Sequence, residues 1–178
     1  MLPRQATKAE RCGPGFTLIE LVVVIVIAAI VAAISVPSLG SFASTRRAMA
    51  ARQMVRDLDY ARERAIATGT RTWVAFATGT NSYSVLQENP ASPGRAGANV
   101  LADPAFAGKD YVQSLGTGDY AGVSIVRAEF GAGTDVGFDW LGRPSDSTAA
   151  DLTDAGVVTL SGGTTVTVQA VTGLVSTP

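Results

Sequence analysis

Gly15-Phe16-Thr17-Leu18-Ile19-Glu20 opens the stretch that decides the fold, because an apolar run begins there abruptly. Residues 16–36 read FTLIELVVVIVIAAIVAAISV, in which Glu20 is the only charged side chain. A run of this length spans a bilayer as a helix, at about 1.5 Å per residue. Lipid requires backbone groups to bond within their own segment, so we predict a transmembrane or filament-core helix over 16–36 despite its many β-branched residues.

The residues before this run form a separate segment. Residues 1–15 are polar, and their Gly13-Pro14-Gly15 end cannot continue a helix. Cys12, the only cysteine of the chain, lies in this segment, so no intramolecular disulfide can form. The chain has no histidine, which excludes histidine-based catalysis and histidine metal sites.

After the apolar run, Pro37 and Gly40 predict a kink or local unwinding. A helical pattern then resumes, and Gly69 is a predicted stop signal. Apolar side chains recur at three and four spacing and predict one buried face: Ala51, Met54, Val55, Leu58, Ala61, Ala65 and Ile66.

Beyond Gly69 the apolar period becomes two, which predicts strands. Thr72–Thr78 and Ser82–Gln87 predict a hairpin, and Glu88–Asp110, rich in Pro, Ala and Gly, predicts a long loop. Further strands are predicted at Val123–Phe130, Val136–Trp140, Val157–Leu160, Thr164–Val171 and Gly173–Ser176. Four aromatic residues are predicted to lie in the core or on the hairpin: Trp73, Phe76, Phe138 and Trp140.

Charge is distributed unevenly along the chain. From Phe42 to Arg71 seven arginines face three acids, a net charge of +4, whereas Thr72 to the end carries four basic residues and ten acids, −6. The basic segment is interpreted either as a solvated helix face or as a surface near anionic lipid or acidic neighbours. An acidic head is poorly suited to nucleic acid, so no nucleic-acid partner is expected.

The stretch Gly15–Glu20 closely resembles the start of prepilin-type proteins. In that family an aspartic peptidase at the cytoplasmic side cuts after the glycine, and the new N-terminal phenylalanine is N-methylated. The resemblance implies cleavage between Gly15 and Phe16, methylation of Phe16, and a role for Glu20 as the assembly and methylation carboxylate. Pro37 falls where many members carry a kink proline.

Physical chemistry also sets Glu20 apart. A carboxylate within an apolar span costs about 2.5–3.5 kcal/mol on insertion scales, so it is expected to be paired or functional. Its partner would be the α-amine of Phe16 in its own chain or a neighbouring one. Two alternatives remain: an ordinary anchor whose Glu20 snorkels to the interface, and a secretory signal peptide cut after Ala33-Ile34-Ser35, whose apolar region would be unusually long.

The remainder resembles the GspH/FimT type of minor pilin or pseudopilin. The matching pieces are Ala61–Ile66, the following hairpin, Gly142-Arg143-Pro144, Gly156–Leu160 and Val171-Thr172-Gly173. The resemblance implies an α+β, type IV pilin-like fold, in which the long N-terminal helix packs on an antiparallel β-sheet head. It divides the chain into a cleaved leader (1–15), a transmembrane helix (16–36) and a periplasmic amphipathic helix with its head (37–178).

This resemblance implies a structural subunit of a type II secretion pseudopilus that primes or caps the filament. The alternative is a minor type IV pilin of the FimT/FimU kind in pilus assembly or DNA uptake. The expected partners are other pseudopilins or pilins, the prepilin peptidase/methyltransferase and inner-membrane lipid. The tail Gly173–Pro178 lacks the basic residues of DNA-uptake members.

No cofactor, metal or catalytic residue is expected. Asp135 with Asp139, and Asp146 with Asp151 and Asp154, offer oxygen ligands, but neither set has EF-hand spacing. We interpret them as loop carboxylates, and whether one of these loops binds calcium stays open.

Overall fold

The computed structural model describes residues 15–177, with residues 34–41 described by their backbone alone. The predicted leader, apart from Gly15, therefore lies outside the described residues. Two compact units make up the chain, Met1–Gly40 and Ser41–Pro178.

One helix, α1, runs from Leu18 to Thr68. It ends where Gly69 adopts a left-handed backbone (φ +65°), as the sequence predicts. The helical assignment continues through Pro37 and Gly40, so the predicted local unwinding is not observed. A kink at Pro37 stays a prediction.

The second unit contains ten strands in two antiparallel sheets. The first sheet has the order β3-β2-β1-β6-β7, with β4 pairing along β2 beyond β3, and the second has the order β10-β9-β8-β5. The strands are β1 (Thr72–Ala77), β2 (Ser82–Gln87), β3 (Asn99–Val100), β4 (Val112–Ser114), β5 (Ile125–Glu129), β6 (Val136–Phe138), β7 (Pro144–Ser145), β8 (Gly156–Leu160), β9 (Thr165–Val168) and β10 (Val175–Ser176).

The predicted hairpin is confirmed as β1 and β2, paired from Thr72 with Gln87 to Ala77 with Ser82. All five further strand predictions overlap an observed strand. The prediction of a long loop at Glu88–Asp110 is wrong in part, because β3 lies within it and β4 follows directly. Both β3 and β4 pair with β2, so the formation of these two strands depends on a partner that is not adjacent in the sequence.

A single core joins the later part of α1 to both sheets. The helix buries Ala50, Ala51, Met54, Leu58, Ala61 and Ala65 against it. Alternate residues of β1 and β2, such as Val74 and Val85, belong to this core, while β8 and β9 contribute from the second sheet. Each fully buried Val or Leu contributes about 1.5–3 kcal/mol, which makes this packing the main source of stability.

The prediction that Ile66 is buried is wrong, whereas Trp140, predicted for the core or a hairpin, lies in the turn of the β6–β7 hairpin. Ile66 is 47% exposed, because it lies beyond the last buried helical position at Ala65. Trp140 is 60% exposed, because β6 ends at Phe138 and Trp140 lies in the turn that follows. The other three predicted aromatics, Trp73, Phe76 and Phe138, are buried.

Candidate processing and assembly site

The start of α1 is capped by a side chain that the sequence reasoning overlooked. The Thr17 hydroxyl accepts a 3.3 Å hydrogen bond from the backbone N–H of Glu20, and the Thr17 carbonyl accepts from Leu21 N–H at 3.3 Å. These bonds satisfy donors that the first helical turn leaves unpaired. The signal was present, because Thr17-x-x-Glu20 has the spacing of a capping box.

The Gly15–Phe16 bond lies just before this cap, in backbone that is not helical. Both residues are exposed, and a Cβ at Gly15 would meet nothing within 4 Å. The described chain therefore does not itself require a glycine at this position. A requirement for a small residue would come from the active site of a processing enzyme.

Glu20 lies in the first turn of α1, one turn from Phe16. A carboxylate is favourable there, because the unpaired N–H groups give the helix N-terminus a partial positive charge. Glu20 is exposed within the single chain, as are the apolar residues around it, of which Leu18 is 83% exposed and Ile19 71%. A helix apolar on all sides is typical of a segment that is buried in other surroundings.

Within the described residues, no helix combines the length and the apolar character that crossing a membrane requires.

Three α1 arginines donate hydrogen bonds to the head, while Arg52 and Arg56 are exposed, as a solvated face predicts. Arg46 donates to the carbonyl of Ala121 at 3.4 Å, and Arg62 donates to that of Gly142 at 3.3 Å. Arg64 donates to the Gln87 side chain at 3.0 Å. These bonds go to uncharged oxygens, so they hold the helix on the head without neutralising its charge.

A buried carboxylate lies at the centre of this helix–sheet contact. Asp57 is 2% exposed, and its oxygens accept hydrogen bonds from Tyr83 (2.6 Å), Tyr111 (2.9 Å) and Gln53 (2.7 Å). Burial raises the pKa of Asp57, and the three hydrogen bonds offset this only in part. Burial, followed by the Asp57 charge, also raises the pKa of both tyrosines. The sequence analysis missed this cluster, although an acid between the core positions Met54 and Leu58 is a signal for it.

The loop carboxylates considered as calcium ligands have partners of their own. Asp139 accepts from the backbone N–H groups of Leu141 (2.9 Å) and Arg143 (2.8 Å) and pairs with the Arg143 guanidinium. Asp146 accepts from Thr148 and Ala150, and Asp135 pairs with Arg95 at 2.6 Å. Among the described residues, no group of three or more Cys, Asp or Glu is arranged to hold a metal ion.

Comparison with known proteins gives a motif match at the start of the chain. Residues 14–36 match the model of the prokaryotic N-terminal methylation motif. No curated protein matches the chain.

The described fold is similar to two solved structures of the minor pseudopilin EpsH from the type II secretion system of Vibrio cholerae. The first has a TM-score of 0.54 and 13% identity, over 74% of this chain and 94% of that one. The second has a TM-score of 0.52 and 13% identity, over 73% and 93%. The chain therefore combines a match to the prokaryotic N-terminal methylation motif with a fold similar to that of a minor pseudopilin.

Proposed function

We propose that this protein is a structural minor subunit of a type II secretion pseudopilus, which primes or caps the filament during protein export. One observation carries the proposal: a methylation motif at residues 14–36 and a minor-pseudopilin fold occur in the same chain. The motif alone is shared with type IV pilins, and a fold alone does not define a function.

In this proposal the chain is made as a prepilin and cut between Gly15 and Phe16, after which Phe16 is methylated. The exposed, non-helical backbone at this bond supports the proposal, because a peptidase must bind extended chain. Residues 16–36 anchor the subunit in the inner membrane as a single span, with the head in the periplasm, until it enters the filament. The apolar sequence of this segment supports the anchor.

Cleavage would create an α-amine on Phe16 one turn from Glu20. In a filament of closely packed apolar helices, this ammonium needs a counter-charge, because a buried unpaired charge is costly. Glu20 of a neighbouring subunit would supply it and would fix the axial position of the incoming chain.

The Glu20→Ala variant tests this role. We expect it to be inserted, because the change makes the span more apolar, and to crosslink poorly to its filament partners. Its mass shows whether it is cleaved. Glu10→Ala is a matched control: it removes the same charge from the leader, which cleavage discards, so crosslinking should match the wild type. Normal crosslinking of a cleaved Glu20→Ala chain would contradict the proposed role.

Deletion of the gene in its host distinguishes a subunit of a type II secretion pseudopilus from a subunit of a type IV pilus. We expect secreted proteins to accumulate in the periplasm while pilus-dependent motility and DNA uptake continue. The reverse pattern would identify a minor type IV pilin instead. The acidic head and the uncharged tail at Gly173–Pro178 argue against DNA capture.

A further inference from the structure

The outer face of the first sheet buries a tryptophan whose indole N–H has no partner. Strand alternation places Trp73 and Leu86 on the face opposite the core residues Val74 and Val85, turned away from α1. Trp73 is fully buried, yet its Nε1 donor forms no hydrogen bond among the described residues. A buried donor without an acceptor is costly, so this N–H is expected to meet an acceptor in some state of the protein.

A second unpaired donor lies beside this tryptophan. Arg71 precedes Trp73 by two residues and shares its face, and the Arg71 Cζ lies 5.7 Å from the centre of the Trp73 ring. Arg71 Nε is also buried without a hydrogen-bond partner, and no ion pair among the described residues involves Arg71. Stacking uses only the face of the guanidinium, so its in-plane N–H groups stay available to an acceptor.

Residues 88–98, which we call the strap, connect β2 to β3 on this outer side of the sheet. The strap consists of two turns, 89–92 and 95–98, each closed by a backbone hydrogen bond, of 2.9 Å and 3.3 Å. At its base, the Glu88 carboxylate accepts a 2.7 Å hydrogen bond from the backbone N–H of Gly94. These bonds all lie within the strap, so the strap keeps its own shape whether or not it lies on the sheet.

An ion pair, which we call the latch, fastens the strap to the sheet. Arg95 Nε donates to Asp135 Oδ2 at 2.6 Å, and the two side chains are only 28% and 16% exposed. Asp135 comes directly before β6, which lies on the far side of β1 from β2, so the strap crosses β1 to reach it. By alternation Asp135 shares its face with Gly137, the partner of Trp73, about 6.6 Å along the strand.

Three donors therefore lie within a few strand positions of one another on one face: the guanidinium groups of Arg71 and Arg95 and the indole N–H of Trp73. With the strap closed, the carboxylate of Asp135 occupies Arg95, whereas the other two donors have no acceptor. A carboxylate that entered beneath the strap would replace Asp135 on Arg95 and would supply the missing acceptor. The planar carboxylate also matches the in-plane N–H groups of a guanidinium.

We propose that the space beneath the strap is a binding site for an acidic side chain of another protein, which displaces Asp135 and is held by Arg95, Arg71 and the Trp73 indole N–H. A protein carboxylate is the chosen ligand because the strap already holds one, that of Asp135. From Thr72 onward the head carries four basic residues against ten acids, so most of its surface repels an acidic partner and this site is selective. The site is independent of the proposed secretion role and is tested on the isolated chain, so a negative result leaves that role unaffected.

The fluorescence of Trp73 in the detergent-extracted full-length chain measures binding. The background carries Trp140→Phe, because Trp140 is the only other tryptophan of the chain and is 60% exposed. The probe is the peptide N-acetyl-Ala-Asp-Ala-amide, and the same peptide with Asn in place of Asp is the neutral control, both at constant ionic strength. We expect a saturable shift of the Trp73 emission with the Asp peptide and no shift with the Asn peptide.

Two substitutions open the latch but have opposite effects on binding. Asp135→Asn and Arg95→Gln both break the ion pair, so acrylamide should quench Trp73 more strongly in each. Asp135→Asn removes the competing carboxylate and should raise the affinity for the Asp peptide about fivefold, a gain that misfolding does not produce. Arg95→Gln removes a donor and should lower the affinity about tenfold, as should Arg71→Gln, which leaves the latch intact. Arg127→Gln breaks an exposed ion pair on β5 and, as the matched control, should change neither quenching nor affinity.

Four results would overturn the proposal. Equal binding of the Asp and Asn peptides would show that the site does not recognise the carboxylate. Equal binding of acetate or inorganic phosphate at the same concentration would show a site for small anions instead of a protein side chain. Affinities that change in the same direction in Asp135→Asn and Arg95→Gln would show that both residues act only through the strap. Unchanged quenching of Trp73 in Asp135→Asn would show that the latch does not hold the strap closed.

Discussion

The carboxylate of Asp57 on α1 accepts a 2.6 Å hydrogen bond from the hydroxyl of Tyr83 on β2, within the core of the head. This bond joins the helix to the first sheet at a point where most contacts are apolar and therefore without direction. A second bond, from Tyr111, reaches the other Asp57 oxygen at 2.9 Å. Satisfied buried polar groups of this kind favour one arrangement of helix and sheet.

Tyr83→Phe removes the shortest of these bonds and leaves Asp57 buried with two donors. We expect the free energy of unfolding to fall by about 1.5–3 kcal/mol, as for hydrogen bonds to charged groups. Chemical denaturation of the detergent-extracted chain measures it. Tyr60→Phe is the matched control, because the Tyr60 hydroxyl has no hydrogen-bond partner among the described residues. Equal effects of the two substitutions would show that the cluster adds nothing specific.

Asp139 provides a prediction on acid stability. Burial alone would raise its pKa, but hydrogen bonds from the Arg143 backbone and guanidinium and from Leu141 outweigh it, so the pKa lies below the ordinary 3.8. In acid, the Asp139 carboxylate therefore binds a proton more readily in the unfolded chain than in the folded one. Its contribution to stability is present above pH 3.8 and is lost as the pH falls through the lowered pKa of the folded state. Asp139→Asn should therefore be less stable at neutral pH and show a flatter loss of stability in acid.

Denaturation curves at a series of pH values below about 5 measure this difference. The pKa of Asp57 is raised, so this group changes the stability with pH in the opposite direction to Asp139. Asp57 is present in both the wild type and Asp139→Asn, so the difference between their two curves reports on Asp139. Asp154→Asn alters an exposed carboxylate that, among the described residues, accepts from Thr153 alone at 3.3 Å, and its curve should follow that of the wild type. An unchanged acid slope in Asp139→Asn would refute the assignment.

Gly137→Ala tests the packing on the other face of the first sheet. A Cβ at Gly137 would lie 2.6 Å from the ring of Trp73, which is fully buried, and 2.9 Å from the Ser145 hydroxyl. We expect a loss of about 1–3 kcal/mol, the usual cost of overpacking. Gly79→Ala is the control, because a Cβ there meets nothing within 4 Å. A loss of similar size at both positions would point to backbone effects instead of the Trp73 contact.

Local patterns in the sequence predicted those features that depend on local physics. The end of α1 at Gly69, the β1–β2 hairpin and the buried stripe around Met54 and Leu58 all follow from turn chemistry or periodicity. The fold class was predicted through the resemblance of short motifs to a known family.

Features that depend on distant partners were missed. β3 is two residues long and β4 is three, and both form by pairing with the same edge of β2. The sequence pattern places Asp57 among the surface acids of the helix. Its partners Tyr83 and Tyr111 lie far along the chain and contact it only in the folded core. The periodicity of apolar residues does not indicate which strands pair or which polar groups form hydrogen bonds with each other.

The mass of the intact protein extracted from the host membrane tests the central claim most directly. We predict a mature chain that begins at Phe16, carries one added methyl group and lacks residues 1–15. Deletion of the host's prepilin peptidase should give the full-length mass instead. A chain that still begins at Met1 in a host with active peptidase, or one that begins at Val36, would contradict the account.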